Sequence, residues 1–132
     1  MDEGIVAVVR RKQEVLVIRR GADVPFAGYW APVSGKIEAG ERPQETVTRE
    51  VHEELGIAVR PLAEVWECPS SDGRYRLHWW LAEPVDRDAA LKLNPREVDE
   101  ARWLGPTEFC RLEKIFETDR FFFEEIFPAL SD

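Results

Sequence analysis

Between Pro43 and Gly56 the chain spells one amphipathic helix with runs that read as strands on either side of it. Val47, Val51 and Leu55 recur every four residues, which makes an apolar stripe fit to lie on a sheet. Pro43 stands where a first helical turn tolerates it, and Gly56 follows as a natural stop. Upstream, Ile5 to Val9 and Val15 to Ile18 are β-rich runs separated by the charged turn RRKQE, the pattern of a hairpin. A third apolar piece, YWAPVSG, contains Pro32, which predicts an edge strand or a strand end. Downstream, Ile57 to Trp66 and Tyr75 to Leu81 read as strands joined by the SSDG turn at 70–73. A polar connection follows over 84–100. ARWLG then reads as a short strand, and Thr107 and Thr118 are placed to cap two C-terminal helical segments. The expected class is mixed α/β, with a central helix between strand pairs and a single domain over residues 1–132.

The helix carries an electrostatic oddity. Glu50, Glu53 and Glu54 fall three and four residues apart, where like charges repel by a few tenths of a kcal/mol per pair, roughly. At about 100° per residue they cluster beside the apolar stripe rather than opposite it. Charge at the margin of a buried face is costly unless it is paired, and only Arg49 is near in sequence. This geometry favours a cluster of carboxylates meant for a cation over a solvated face.

Composition narrows the partners. The net charge is −8 and the isoelectric point about 4.9, so a polymeric nucleic acid is disfavoured. A small phosphorylated substrate remains compatible, provided metal ions neutralise the site. Cys68 and Cys110 lie far apart and form neither a disulfide framework nor a zinc motif, which predicts a reducing, cytoplasmic setting. The N-terminal apolar run is too short for a signal peptide, and no stretch approaches a membrane span.

Residues 35–57 read GKIEAGERPQETVTREVHEELGI. Gly35 is followed by five residues and Glu41, then by seven residues and Arg49-Glu50-Val51. Glu53-Glu54 and Gly56-Ile57 complete the run, each after one free position. This resembles the Nudix box at every specified position. Seven fixed residue types at set spacing arise by chance in roughly one window per billion. The strand pairs around the helix, the E-x-x-E-A-R-W-L segment and the helical C-terminus are similar in pattern to that family's α/β/α sandwich with a mixed central sheet and a loop-helix-loop box.

The resemblance implies a Mg²⁺-dependent pyrophosphohydrolase, with Mn²⁺ as a substitute. Its expected substrate is a nucleoside diphosphate linked to another group, first of all a free or damaged (d)NTP. Within that chemistry the alternatives are dinucleoside polyphosphates, nucleotide sugars and a pterin triphosphate. A non-catalytic nucleotide-sensing module is the alternative from another class, although such modules usually lose box carboxylates that this chain keeps. Mg²⁺ takes oxygen ligands and keeps waters, so a few carboxylates and the substrate phosphates suffice.

Residue roles follow from the same resemblance. Glu50 and Glu54 become the principal metal ligands, Glu53 a third ligand or water-positioner, and the Gly35 carbonyl a further ligand. Arg49 and Glu41 pair to aim the carboxylates. Glu97, in preference to Glu100, becomes a later-loop ligand or general base. On the aromatic strand, His78 and Trp80, with Trp79 as the other choice, are candidates to face substrate. Homodimerisation is common in the fold and no residue here fixes it. His52-Glu53 lacks the second histidine of a zinc motif, because position 56 is Gly56. Pro32-Val33-Ser34-Gly35 departs from the Pro-Gly-Gly run that precedes many family boxes, which leaves the base preference open.

Overall fold

A computed structural model describes residues 1–131. Six strands form one mixed sheet: β1 (Asp2–Arg11), β2 (Glu14–Arg20), β3 (Trp30–Lys36), β4 (Val59–Pro69), β5 (Tyr75–Pro84) and β6 (Val98–Leu104). Their order is β4-β5-β1-β3-β2-β6. β1 and β5 run parallel, from Asp2 opposite Tyr75 to Val9 opposite Ala82, and the other neighbours are antiparallel.

The central helix α1 runs Pro43–Leu55 and lies on one face of the sheet. On the other face lie two short helices, α2 (Pro106–Cys110) and α3 (Glu117–Phe121). α3 continues as a π-helical turn over Phe122–Ile126 and a 3₁₀ turn over Phe127–Ala129.

Alternation along β1 explains the layers. Ile5, Ala7 and Val9 face α1, where they meet Val47, Val51 and Leu55, all buried. Val6 and Val8 point the other way, into a cluster with Trp79, Phe109, Phe122, Phe123 and Phe127. Burying a side chain of this size stabilises by about 1.5–3 kcal/mol, so the two apolar layers are the main force holding the sandwich together. The fold is α/β, as the helix and strand pattern predicts. No helix among the described residues is long and apolar enough to cross a membrane.

Three expectations differ from the observed elements. β3 is not an edge strand, since it lies between β1 and β2. Residues 30–32 pair with β2 and residues 33–36 with β1, so Pro32 sits where the strand changes partner and its missing N–H costs least. Neither Thr107 nor Thr118 is a cap. Gly105 and Phe116 hold those positions, and Glu108 accepts the Gly105 N–H at 3.0 Å. The strand after Gly56 also begins later and runs further than read, over Val59–Pro69.

Candidate active site

Helix α1 places its acids through its own end conditions. Glu45 accepts the Arg42 N–H at 2.9 Å at the N-terminus, and Gly56 (φ 68°) donates its N–H to the His52 carbonyl at 3.0 Å at the other end. Those ends fix the rotation that buries Val47, Val51 and Leu55, and the acids follow from it. Glu54 is buried at 6% exposure, the Glu50 side chain is nearly so, and Glu53 is half-exposed.

The two inward acids lie within hydrogen-bonding reach of each other. Burial pushes the Glu54 carboxyl up to about 9, with the Glu50 hydrogen bond and charge and then Glu97 adding to it and Arg20 opposing it. Glu50 is also raised, first by burial, although Glu54 and the Arg49 guanidinium pull it down. Of these two buried carboxyls Glu50 alone is bonded to a cation, the Arg49 guanidinium it shares with Glu41 and Glu53, so the pair can be ionised together only with difficulty and its oxygen donors fit a hard divalent cation.

Arg49 organises this pair. It holds Glu41 in a fork, Nε to Oε2 at 2.7 Å and Nη2 to Oε1 at 3.0 Å. Its Nη1 donates to Glu50 at 2.7 Å and to Glu53 at 3.4 Å, and Nη2 donates to the Lys36 carbonyl at 3.1 Å. Glu41 further accepts the Thr46 hydroxyl at 2.7 Å and the Glu38 N–H at 3.1 Å. These bonds, Arg49's first, hold its carboxyl down to about 2. One guanidinium thus ties the end of β3, the following loop and the helix together. Gly35 completes the arrangement by absence, because a Cβ there would overlap the Glu50 carboxyl.

Glu97 sits on a loop sewn to the C-terminus of α1. Lys92 and Asn94 donate their N–H groups to the Leu55 and Glu54 carbonyls at 2.9 and 3.0 Å. The Glu97 carbonyl in turn accepts from Gly21 at 2.9 Å, and its charge is felt at Glu54. Glu100 is elsewhere, on β6 opposite Arg19, paired with Arg19 at 3.5 Å and Arg102 at 2.6 Å. The structure therefore gathers Gly35, Glu41, Arg49, Glu50, Glu53, Glu54 and Glu97, and leaves Glu100 out.

A cavity of about 290 Å³ lies on the sheet face away from α1 and reaches the site at Gly35. Tyr75 and Leu77 of β5 line it, with Arg20, Phe26 and Asp119. His78 and Trp80 do not. They point to the α1 side, where His78 bonds Glu3 at 2.9 Å and Glu64 at 3.1 Å. Trp80 packs against the core beneath α1 with its indole N–H buried and without a partner among the described residues. Trp79 is fully buried in the opposite cluster, donating to Cys68 Sγ at 3.3 Å. The alternation along β5 was legible, but the side facing the cavity was the other one.

Asp119 also lines the cavity, and no motif in the sequence points to it. It is 6% exposed, and burial raises its carboxyl to about 7 against the pull of the Thr118 hydroxyl and the Arg20 charge. A signal existed, since Asp119 precedes Phe122 and Phe123 by three and four residues and so shares their helical face.

The model of the NUDIX domain matches residues 2–126. A CTP pyrophosphohydrolase of Escherichia coli is 37% identical over 114 residues, covering 82% of this chain and 78% of that protein. An NAD-capped RNA hydrolase of Vibrio parahaemolyticus is 32% identical over 110 residues, covering 79% of this chain. The chain matches only 38% of that longer protein. Among solved structures, a MutT protein from Methanosarcina mazei superposes with a TM-score of 0.80 at 26% identity, covering 95% of this chain and 91% of that one.

Proposed function

The chain belongs to the Nudix family, and from that premise we propose that it is a divalent-metal-dependent hydrolase of the phosphoanhydride bond in a small nucleotide, a nucleoside triphosphate first. The observation that carries this reading is the buried Glu50–Glu54 pair, short of positive charge and held in place by Arg49. Glu50, Glu54 and the Gly35 carbonyl would hold Mg²⁺, or Mn²⁺ in its place, with Glu53 beside them. When bound, the ion polarises phosphoryl oxygens and makes a water more acidic.

The chain's own residues supply the rest. Arg49 and Glu41 hold the carboxylates in position. Glu97 or Glu53 takes the proton as water oxygen bonds to phosphorus and the bridging P–O bond breaks. Arg20, on the cavity wall, faces the polyphosphate, and Asp119 reads the edge of the base. Catalysis of this kind is mainly positioning and charge neutralisation. The likeness to an enzyme named for CTP supports a nucleotide over a sugar-linked or pterin substrate. Intact Glu50, Glu53 and Glu54 argue against a sensing module. The test is product release from CTP, GTP, 8-oxo-dGTP, ADP-ribose and a dinucleoside polyphosphate, with and without Mg²⁺, alongside Glu54→Gln. Metal-dependent cleavage lost in the variant supports the reading, and cleavage that survives it removes the metal-site assignment.

A further inference from the structure

One aromatic ring at the cavity is held in a way that packing does not explain. Phe26 lines the cavity and keeps 43% of its surface exposed. Its φ is +59°, in the left-handed region where a Cβ crowds the following carbonyl. A ring left so exposed gains little from burial, yet the loop between β2 and β3 is fastened around it. Arg20 Nε donates to the Pro25 carbonyl at 2.6 Å, and Gly28 donates to the Arg20 carbonyl at 2.8 Å. The Arg20 backbone N–H donates to the Tyr29 carbonyl at 2.8 Å, and that of Tyr29 to the Phe26 carbonyl at 3.1 Å.

The ring is also braced from the side. Phe116, from the segment between α2 and α3, meets it edge-on at 5.0 Å and 80°, and Tyr29 at 5.8 Å and 70°. Tyr29 and Phe116 touch each other at 4.8 Å. Two separate loops thus build one aromatic wall, and the cavity it borders also holds the Arg20 cation and the buried Asp119 carboxyl. An apolar planar surface, a cation and a hydrogen-bonding acid around one space suit a ligand with a flat heterocycle and an anionic tail. A strained residue that the surrounding loop over-determines is a mark of function.

We propose that Phe26 is a specificity-determining residue whose ring stacks on the base of a bound nucleotide, so that the protein favours nucleotides over phosphate chains that lack a planar heterocycle. This rests on the nucleotide-hydrolase reading of the cavity. Stacking on a π-face tolerates any base, so Phe26 separates nucleotides from other phosphoanhydrides, while the choice among bases falls to polar groups such as Asp119.

The experiment compares wild type, Phe26→Leu, Phe26→Trp and Phe26→Gly with CTP, GTP and inorganic tripolyphosphate in Mg²⁺. It records KM and kcat for hydrolysis, and the melting-temperature shift that each compound produces. Phe26→Leu should raise KM for both nucleotides about tenfold, with kcat within about twofold. Phe26→Trp should keep KM near wild type. Phe26→Gly, which relieves the backbone, should lose as much as Phe26→Leu, and tripolyphosphate should not distinguish the variants.

An unchanged nucleotide KM in Phe26→Leu overturns the proposal, as does an equal loss with tripolyphosphate. Glu54→Gln is run in parallel to separate the two claims. If it cleaves CTP as fast as wild type, the metal-site reading fails while the Phe26 comparison still stands on its own KM values. If wild type cleaves none of the three, the nucleotide-induced melting shift decides, and a shift kept in Phe26→Leu or absent from wild type overturns the proposal.

Discussion

Replacing Glu54 by Gln removes a carboxyl that folding buries against another, so the metal-free protein should become more stable at alkaline pH. The sign follows from linkage. Glu54 ionises near 4.5 when exposed and near 9 in the fold, so the folded state binds more protons between those values. The stability of wild type is then fully present below pH 4.5 and is lost as pH rises towards 9. Each tenfold difference in proton affinity between the folded and unfolded chain is worth about 1.4 kcal/mol. Water entry and side-chain relaxation absorb part of the difference, so an effective ratio of about ten to one hundred gives roughly 1.5–3 kcal/mol at pH 8.5. For a chain of 132 residues this is about 5–10 °C in melting temperature.

The assay is thermal unfolding followed by circular dichroism at pH 6 and pH 8.5, in EDTA and in Mg²⁺. Wild type in EDTA should lose stability between the two pH values, and Mg²⁺ should restore it. Glu54→Gln should show a flatter profile, a higher melting point at pH 8.5 in EDTA and a much smaller response to Mg²⁺. A variant less stable than wild type at pH 8.5 in EDTA would mean the opposite, that the Glu54 carboxylate is a net stabiliser without metal.

Three further outcomes are expected. Arg49→Lys loses the fork on Glu41 and the reach to Glu50, and should lower kcat about 10–100-fold while the fold persists, checked by steady-state kinetics with Mg²⁺ titration. Glu97→Gln should lower kcat by about 100-fold, whereas Glu100→Gln should stay within about twofold of wild type; the reverse order would move the later-loop role to β6. Trp80→Phe removes a buried N–H without a partner among the described residues. Urea unfolding should show a change within about 1 kcal/mol rather than the roughly 3–5 kcal/mol usual for deleting a core aromatic, with nucleotide KM unchanged.

Local signals in the sequence located the helix and the turns. The spacing places α1 at Pro43–Leu55, its observed extent, because Pro43, the valine stripe and Gly56 all act within a few residues of one another. The SSDG turn is likewise local, with Ser70 accepting from Gly73 at 2.9 Å and donating its N–H to the Tyr75 carbonyl at 2.8 Å. Helical geometry puts Glu50, Glu53 and Glu54 beside the buried stripe; in the fold Glu54 is buried and Glu50 nearly so, while Glu53 is half-exposed, and the ranking of Glu50 and Glu54 as ligands came from the resemblance.

What was not legible depends on contacts between distant segments. The parallel pairing of β1 with β5 joins residues more than seventy positions apart, and it decides that β3 is interior. The alternation of β5 separates Tyr75 and Leu77 from His78 and Trp80, but only the placement of α1 says which set meets the cavity. In the sequence Asp119 is one acid among many on a charged chain. It becomes a cavity residue only when the π-helical turn after α3 packs Phe122 and Phe123 onto the sheet.

If Glu50 and Glu54 hold a metal ion that drives phosphoanhydride cleavage of a nucleotide, the rate depends on that ion through Glu54. The most direct measurement is the initial rate of CTP hydrolysis against Mg²⁺ concentration for wild type and Glu54→Gln, with products separated by chromatography. Saturable Mg²⁺-dependent cleavage in wild type, with the rate at least about 100-fold lower in the variant, is the expected result. Cleavage independent of added metal, or equal in the two proteins, would rule out a catalytic metal held by Glu50 and Glu54.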